Sequence, residues 1–247
     1  AIVWLDNRAV SEAKKISANF AVNEVYKITG QQEIVPGWTA SKILWIRNNE
    51  PEVFPKAAKF VMVADYLIYK LTGNFVSDHA LNPSTLYYNL ETGDWWDEML
   101  DFLKIRRDQL PKLNFSGHSA GTVNANIGLS PKTTVVTAPI DQIAGAVGAG
   151  NLGPGMITET TGSALAICAA CPAPIYDPQK RVGLYRHATQ EDYVLLPWVP
   201  VAGMIFRWFR DEFGGCKSYL ELEQEAENIK LGANGLLLIP HLAGAFS

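Results

Sequence analysis

Apolar positions recur at i, i+3 and i+4 through residues 9–29, so this stretch reads as a helix with one buried face. Pro36-Gly37 marks a loop. Thr39 or Ser41 is placed to cap a second helix, which runs through Lys42, Ile43, Leu44 and Trp45 and stops before Pro51. Residues 63–71 form a third helix, closed by Gly73. Residues 84–90 are rich in β-formers, and Glu91-Thr92-Gly93 makes a turn. Asp94 then stands where a cap belongs, ahead of Trp95, Trp96, Met99 and Leu100. Further on, residues 133–139 read as a strand that leads into Asp141-Gln142 and a helix of small residues ended by Gly153-Pro154. Strands over 156–160 and 164–170 flank the tight turn Thr161-Gly162-Ser163. Residues 193–197 read as a strand, and a helix carrying Met204, Ile205, Trp208 and Phe209 follows. A charged helix over 221–230 and a strand-like run over 235–240 complete the pattern. Strands mixed with helices throughout make the chain α/β.

The punctuation Gly148, Gly150, Gly153, Pro154 and Gly155 marks a boundary near residue 153, dividing residues 1–152 from 153–247. The chain opens without Met on an apolar run and closes just after a strand-like one, which reads as a segment of a longer protein. Lys plus Arg total 21 against 25 Asp plus Glu, a net charge of −4, so there is no electrostatic footprint for nucleic acid or an anionic membrane. No apolar stretch is long enough to span a bilayer, and no export leader is visible. Three cysteines make no disulfide framework, and a cytoplasmic location is expected. Cys168 and Cys171 form C-x-x-C, but they sit in an apolar run that reads as a buried strand, with no partner motif for zinc.

Three places hold candidate chemistry. Asp141 sits where a strand turns into a helix, at the end of a strand where α/β proteins bind ligands, and a carboxylate there can take a proton from a hydroxyl. An aspartate at that position also makes an ordinary helix cap. Gln142 beside it can exchange hydrogen bonds with a polyol. Thr161-Gly162-Ser163 offers backbone N–H groups to a phosphate, or is a plain hairpin turn; no Walker A loop exists. Trp4 next to Asp6 and Arg8 suits a sugar, ring face to C–H surface and polar groups to hydroxyls, or is a strand end with solvated charges.

These pieces, in this order, resemble the FGGY carbohydrate kinases. The most specific match is GWTASKILWIRNN at residues 37–49, similar to the family's first signature, with its Lys, an apolar residue and Trp. AIVWLDNRA at residues 1–9 is similar to the family's W-x-D-x-R segment. The likeness continues through residues 63–100, with "LTG" and "SD" turns, and through DQIAGAVGAGNLGPGMITETTGSALAI at residues 141–167. GLLLIPHLAGAFS at residues 235–247 resembles the segment that precedes the family's "ER-P" motif.

The resemblance implies a ribonuclease H-like fold, as in actin and hexokinase: two lobes around a cleft, the second only partly present. Residues 1–152 would be the sugar-binding domain without its first strands, and 153–247 the start of the nucleotide-binding domain. It implies ATP-dependent phosphorylation of a sugar or polyol hydroxyl, with Mg²⁺ on the phosphates. Asp141 matches the general base, and Trp4 an aromatic wall of the sugar pocket. Asp6 and Arg8 lie beside that wall, and Gln142 matches a sugar contact. Thr161, Gly162 and Ser163 match the second phosphate loop. No metal ligand is assigned within the chain. Gly37 stands where glycerol kinases present a Tyr, which disfavours glycerol; a pentulose such as xylulose is expected, with gluconate, glycerol or another polyol as alternatives. Pro139, where members carry small Gly-rich residues, leaves open a non-catalytic sugar-binding member. The family admits a homodimer, although nothing in the sequence marks an interface.

Overall fold

Hydrophobic spacing over residues 9–29 folds as two helices, α1 (Val10–Asn19) and α2 (Val22–Thr29), rather than one. Phe20 takes an extended conformation between them, and its ring packs edge-on against Trp96 and Phe102 at 5.1 and 5.3 Å. Seating this ring overrides helical continuity. The computed structural model describes residues 1–124, 127–162, 164–199 and 202–239.

The next helices, α3 (Thr39–Asn49) and α4 (Val63–Thr72), stand where the pattern put them. The cap does not: Trp38 precedes α3 with no side-chain cap, and Ser41 Oγ donates instead to the Val35 carbonyl at 3.0 Å. β1 (Val76–Asp78) follows, and the β-rich run over 84–90 gives a 3₁₀ turn and only the short β2 (Tyr88–Asn89). Asp94 caps nothing. It lies in β3 (Asp94–Trp95), with Trp95 opposite Tyr88, and the helix α5 (Asp97–Leu103) starts only after that pairing ends. Arg107 explains where Asp94 points, reaching its carboxylate at 2.8 Å and that of Asp97 at 2.7 Å.

β4 (Lys112–Asn114) runs parallel to β1, and β5 (Ser119–Thr122) pairs antiparallel with β6 (Thr134–Val136), a shorter strand than the expected 133–139. Then come α6 (Asp141–Gly148), β7 (Ile157–Thr161), β8 (Leu165–Cys171), β9 (Gly183–Arg186), β10 (Tyr193–Leu196), β11 (Trp198–Val199), α7 (Gly203–Phe213) and α8 (Tyr219–Glu227). Residues 236–239 form no strand. They stand exposed without the paired edge that a strand needs. Residue 240 lies outside the described residues.

Two compact units emerge. The first joins Ala1–Thr158 to Cys168–Leu196, and the second joins Glu159–Ile167 to the chain from Pro197 onward. The return of 168–196 to the first unit has a physical basis. Leu184 N–H donates to the Gly30 carbonyl at 2.8 Å, Tyr26 hydroxyl to the Val182 carbonyl at 2.8 Å, and Tyr185 hydroxyl to Gln31. Its β10 pairs antiparallel with both β9 and the end of β8. Leu184 and Cys171 thereby enter one apolar core with Ile16, Leu44, Tyr88, Met99 and Leu103. In the second unit, Trp198 and Val199 pair with Ala166 and Leu165, and a reciprocal Ser218–Glu221 capping box starts α8.

Candidate functional site

The Trp4–Arg8 segment is a turn that is held from beneath by α3. Asp6 N–H closes it on the Val3 carbonyl at 3.0 Å. Lys42 lies on the buried side of α3, and its Nζ donates to that same Val3 carbonyl at 2.7 Å. Burial pushes the Lys42 ammonium below its ordinary value, and the nearby Asp6 charge opposes the shift. Asp6 grips Arg8 with both carboxylate oxygens, at 2.9 and 2.7 Å, and accepts from the Arg8 backbone N–H. These bonds from Arg8 hold the Asp6 carboxyl down at about 2. The Arg8 guanidinium lies over the Trp45 ring at 4.9 Å from its centre. Trp4 keeps 55% of its surface exposed.

Gly37 completes the support. A Cβ there would lie 2.8 Å from the Trp4 carbonyl oxygen, so any larger residue would displace the Trp4 backbone. The signature segment and the Trp4–Asp6–Arg8 group, more than thirty positions apart in the sequence, are therefore one structure. The role of Lys42 was not foreseen from sequence. The available signal was a lysine set among buried apolar neighbours, Ile43 and Leu44, where a charge needs a partner.

Asp141 is the first residue of α6, after Ile140 in an extended conformation. The ordinary-cap reading does not hold, because the helix has no side-chain cap bond. Asp141 is exposed, and among the described residues nothing hydrogen-bonds to or pairs with its carboxylate. Gln142 beside it is half-buried. The helix is seated by Ile143 and Ala146, both buried. The Asp141 carboxylate thus stands, unpaired among the described residues, at the first turn of α6, open to a ligand.

In the second unit, Thr161 ends β7 and its hydroxyl donates to Glu159 at 2.6 Å. Gly162 N–H donates to the Ala164 carbonyl at 2.8 Å, closing the turn. The Gly162 carbonyl accepts from Gly203 N–H, the first residue of α7, at 3.0 Å. A Cβ on Gly203 would come within 2.4 Å of that carbonyl oxygen, so the approach needs glycine. Ser163 lies outside the described residues.

Cys168 and Cys171 are buried, as their apolar run implied, and burial pushes the Cys168 thiol up to about 11. No group of three or more His, Cys, Asp or Glu able to hold a metal exists among the described residues. A Mg²⁺ carried on nucleotide phosphates asks for only one or two carboxylates, and Glu159 beside Thr161 is available for that. Among the described residues, no helix is long and apolar enough to cross a membrane. An open cleft of 730 Å³ in the first unit, lined by Lys59, His79, Arg107 and Lys112 among others, includes none of the candidate residues. Two of its cations are already committed, Lys59 to the Asp108 and Leu110 carbonyls and Arg107 to Asp94 and Asp97.

Comparison with known proteins gives four findings. The family model described as the FGGY family of carbohydrate kinases, N-terminal domain, matches residues 1–148. Gluconokinase of Bacillus subtilis (strain 168) is 32% identical over 98% of this chain and 50% of its own length. Xylulose kinase of the same strain is 29% identical over 99% of this chain and 49% of its own. The crystal structure of ligand-bound xylulose kinase from Lactobacillus acidophilus superposes with a TM-score of 0.90 at 26% identity, covering 99% of this chain and 50% of that one. The chain spans about half the length of the curated relatives it matches.

Proposed function

The chain belongs to the FGGY family of carbohydrate kinases, and from that premise we propose that its protein transfers the γ-phosphoryl group of ATP to a hydroxyl of a sugar, a pentulose such as xylulose. The observation that carries this reading is the Asp141 carboxylate, exposed at the head of α6 and bonded to nothing else among the described residues. It accepts the proton of the sugar hydroxyl as the oxygen attacks phosphorus and ADP departs. Gln142 hydrogen-bonds a neighbouring hydroxyl. Trp4 offers its ring face to the sugar C–H surface, with the Asp6–Arg8 pair at its edge. Thr161, Gly162 and Ser163 are the residues that take the phosphates. Mg²⁺ carried with the nucleotide would supply charge neutralisation when bound, and Glu159, beside Thr161, would be a carboxylate able to hold it.

Gly37 supports a sugar other than glycerol. The Tyr that glycerol kinases carry there would meet the Trp4 backbone in this chain. Gluconate is a second reading, favoured by the 32% identity to a gluconokinase. ADP release by the full-length protein with xylulose, gluconate and glycerol tests the proposal. Turnover of xylulose above the others supports it, gluconate in first place supports the second reading, and no turnover of any sugar or polyol refutes both.

A further inference from the structure

α6 is a weak helix by its own composition. It has eight residues, contains Gly145 and Gly148, and lacks a side-chain cap. Only Ile143 and Ala146 are buried along it. Something outside the helix must therefore fix its axis and rotation, and with them the direction of Asp141.

Cys168 on β8 meets both ends of the helix. Its thiol, 2% exposed, donates to the Gln142 carbonyl in the first turn at 3.5 Å. Its own carbonyl accepts from the Asn151 side-chain amide at 3.0 Å. Asn151 is fully buried, and its backbone N–H caps the other end of α6 by donating to the Ala146 carbonyl at 2.9 Å. The same amide also reaches the Met156 carbonyl and the Thr158 hydroxyl, at 3.4 and 3.3 Å, which ties the clamp to β7. Asn151 Oδ1 finds no partner in this interior. A side chain kept at that cost is kept for its donor end.

We propose that Cys168 and Asn151 are positioning residues for Asp141, a clamp that closes on both ends of α6 and aims the carboxylate. The proposal rests on the reading of Asp141 as the base. The thiol acts as a neutral donor, consistent with the burial that keeps it protonated. Rate depends steeply on such aim, since a misplacement of about 1 Å costs on the order of 100-fold.

The test uses the full-length protein and its Asn151→Ala, Cys168→Ala and Cys168→Ser variants. Amide exchange of α6 is measured by mass spectrometry, beside kcat and the KM values for sugar and ATP. Asn151→Ala is expected to speed α6 exchange and to lower kcat by about tenfold or more, with both KM values changed by less than about twofold. Cys168→Ala, the milder change, is expected to lower kcat in the same direction. Cys168→Ser, which keeps a donor, is expected to recover most of that loss. Faster exchange with kcat unchanged would mean the clamp serves stability alone, and α6 exchange unchanged in both alanine variants would remove the clamp. If the wild-type protein turns over no sugar, the base reading fails separately, while the exchange measurement still decides whether the clamp exists.

Discussion

Lys42 Nζ and the Val3 carbonyl oxygen lie 2.7 Å apart, joining the first turn of α3 to the turn that presents Trp4. The ammonium grips the backbone of this turn, so in the proposed function its effect would reach the sugar through the placement of Trp4, Asp6 and Arg8. Replacing Lys42 with Met keeps the stem and removes the donor. The sugar KM is expected to rise about tenfold, or ~1.4 kcal/mol, with the ATP KM unchanged. Steady-state kinetics with each substrate varied in turn checks this. Equal rises in both KM values would point to general loosening instead.

Asp141→Asn keeps the shape of the side chain and removes its basicity. A general base contributes about 100- to 10,000-fold, so kcat is expected to fall within that range while sugar affinity, read by calorimetry, stays near wild type. An Asp141→Asn enzyme of normal kcat would show that the proton goes elsewhere.

Gly203→Ala would press a methyl group onto the Gly162 carbonyl, 2.4 Å away. Relief requires the turn or the head of α7 to shift, about 1–3 kcal/mol of strain. The expected reading is a several-fold rise in the ATP KM with the sugar KM unchanged. An alanine variant that binds ATP as tightly as wild type would detach this turn from the nucleotide.

Asp65 gives a pH signature. Burial, the largest cause, raises its carboxyl from 3.8 to about 6, with the Asp78 charge adding to the rise and bonds from Ser77 and Met62 opposing it. Asp78 is also raised, again chiefly by burial. A folded pKa above the unfolded one means that the folded state holds its proton longer. The stability from Asp65 is thus fully present below about pH 4 and is lost as pH rises through about 6. A shift of this size corresponds to about 3 kcal/mol. Urea midpoints at pH 4, 5, 6 and 7 should fall more steeply for wild type than for Asp65→Asn, and parallel curves would contradict the assignment.

Much of the candidate site was legible because its residues carry unusual chemistry at marked places: Asp141 at a strand-to-helix turn, Gly162 in a tight hairpin, Trp4 beside charges. Local propensity failed where a distant partner outweighed it. Asp94 looked like a cap, but Trp95 pairs with Tyr88 and Arg107 draws the carboxylate away. The 9–29 pattern hid a break because the rings that seat Phe20, Trp96 and Phe102, lie more than seventy positions onward. Lys42, Asn151 and Gly203 were silent for a related reason. Each acts through a backbone atom of another segment, and a carbonyl leaves no mark in the residue alphabet.

The return of residues 168–196 to the first unit bears on how this protein can be dissected. The family model stops at residue 148, an inviting place to cut. A fragment ended there would lose the strand that seals Gly30 and Tyr26, and it would bare the apolar wall against which Leu184 rests. Such a piece should clump or melt on isolation. A shortened protein built on the first unit must carry its lid of later sequence with it, grafted across the gap from Thr158 to Cys168.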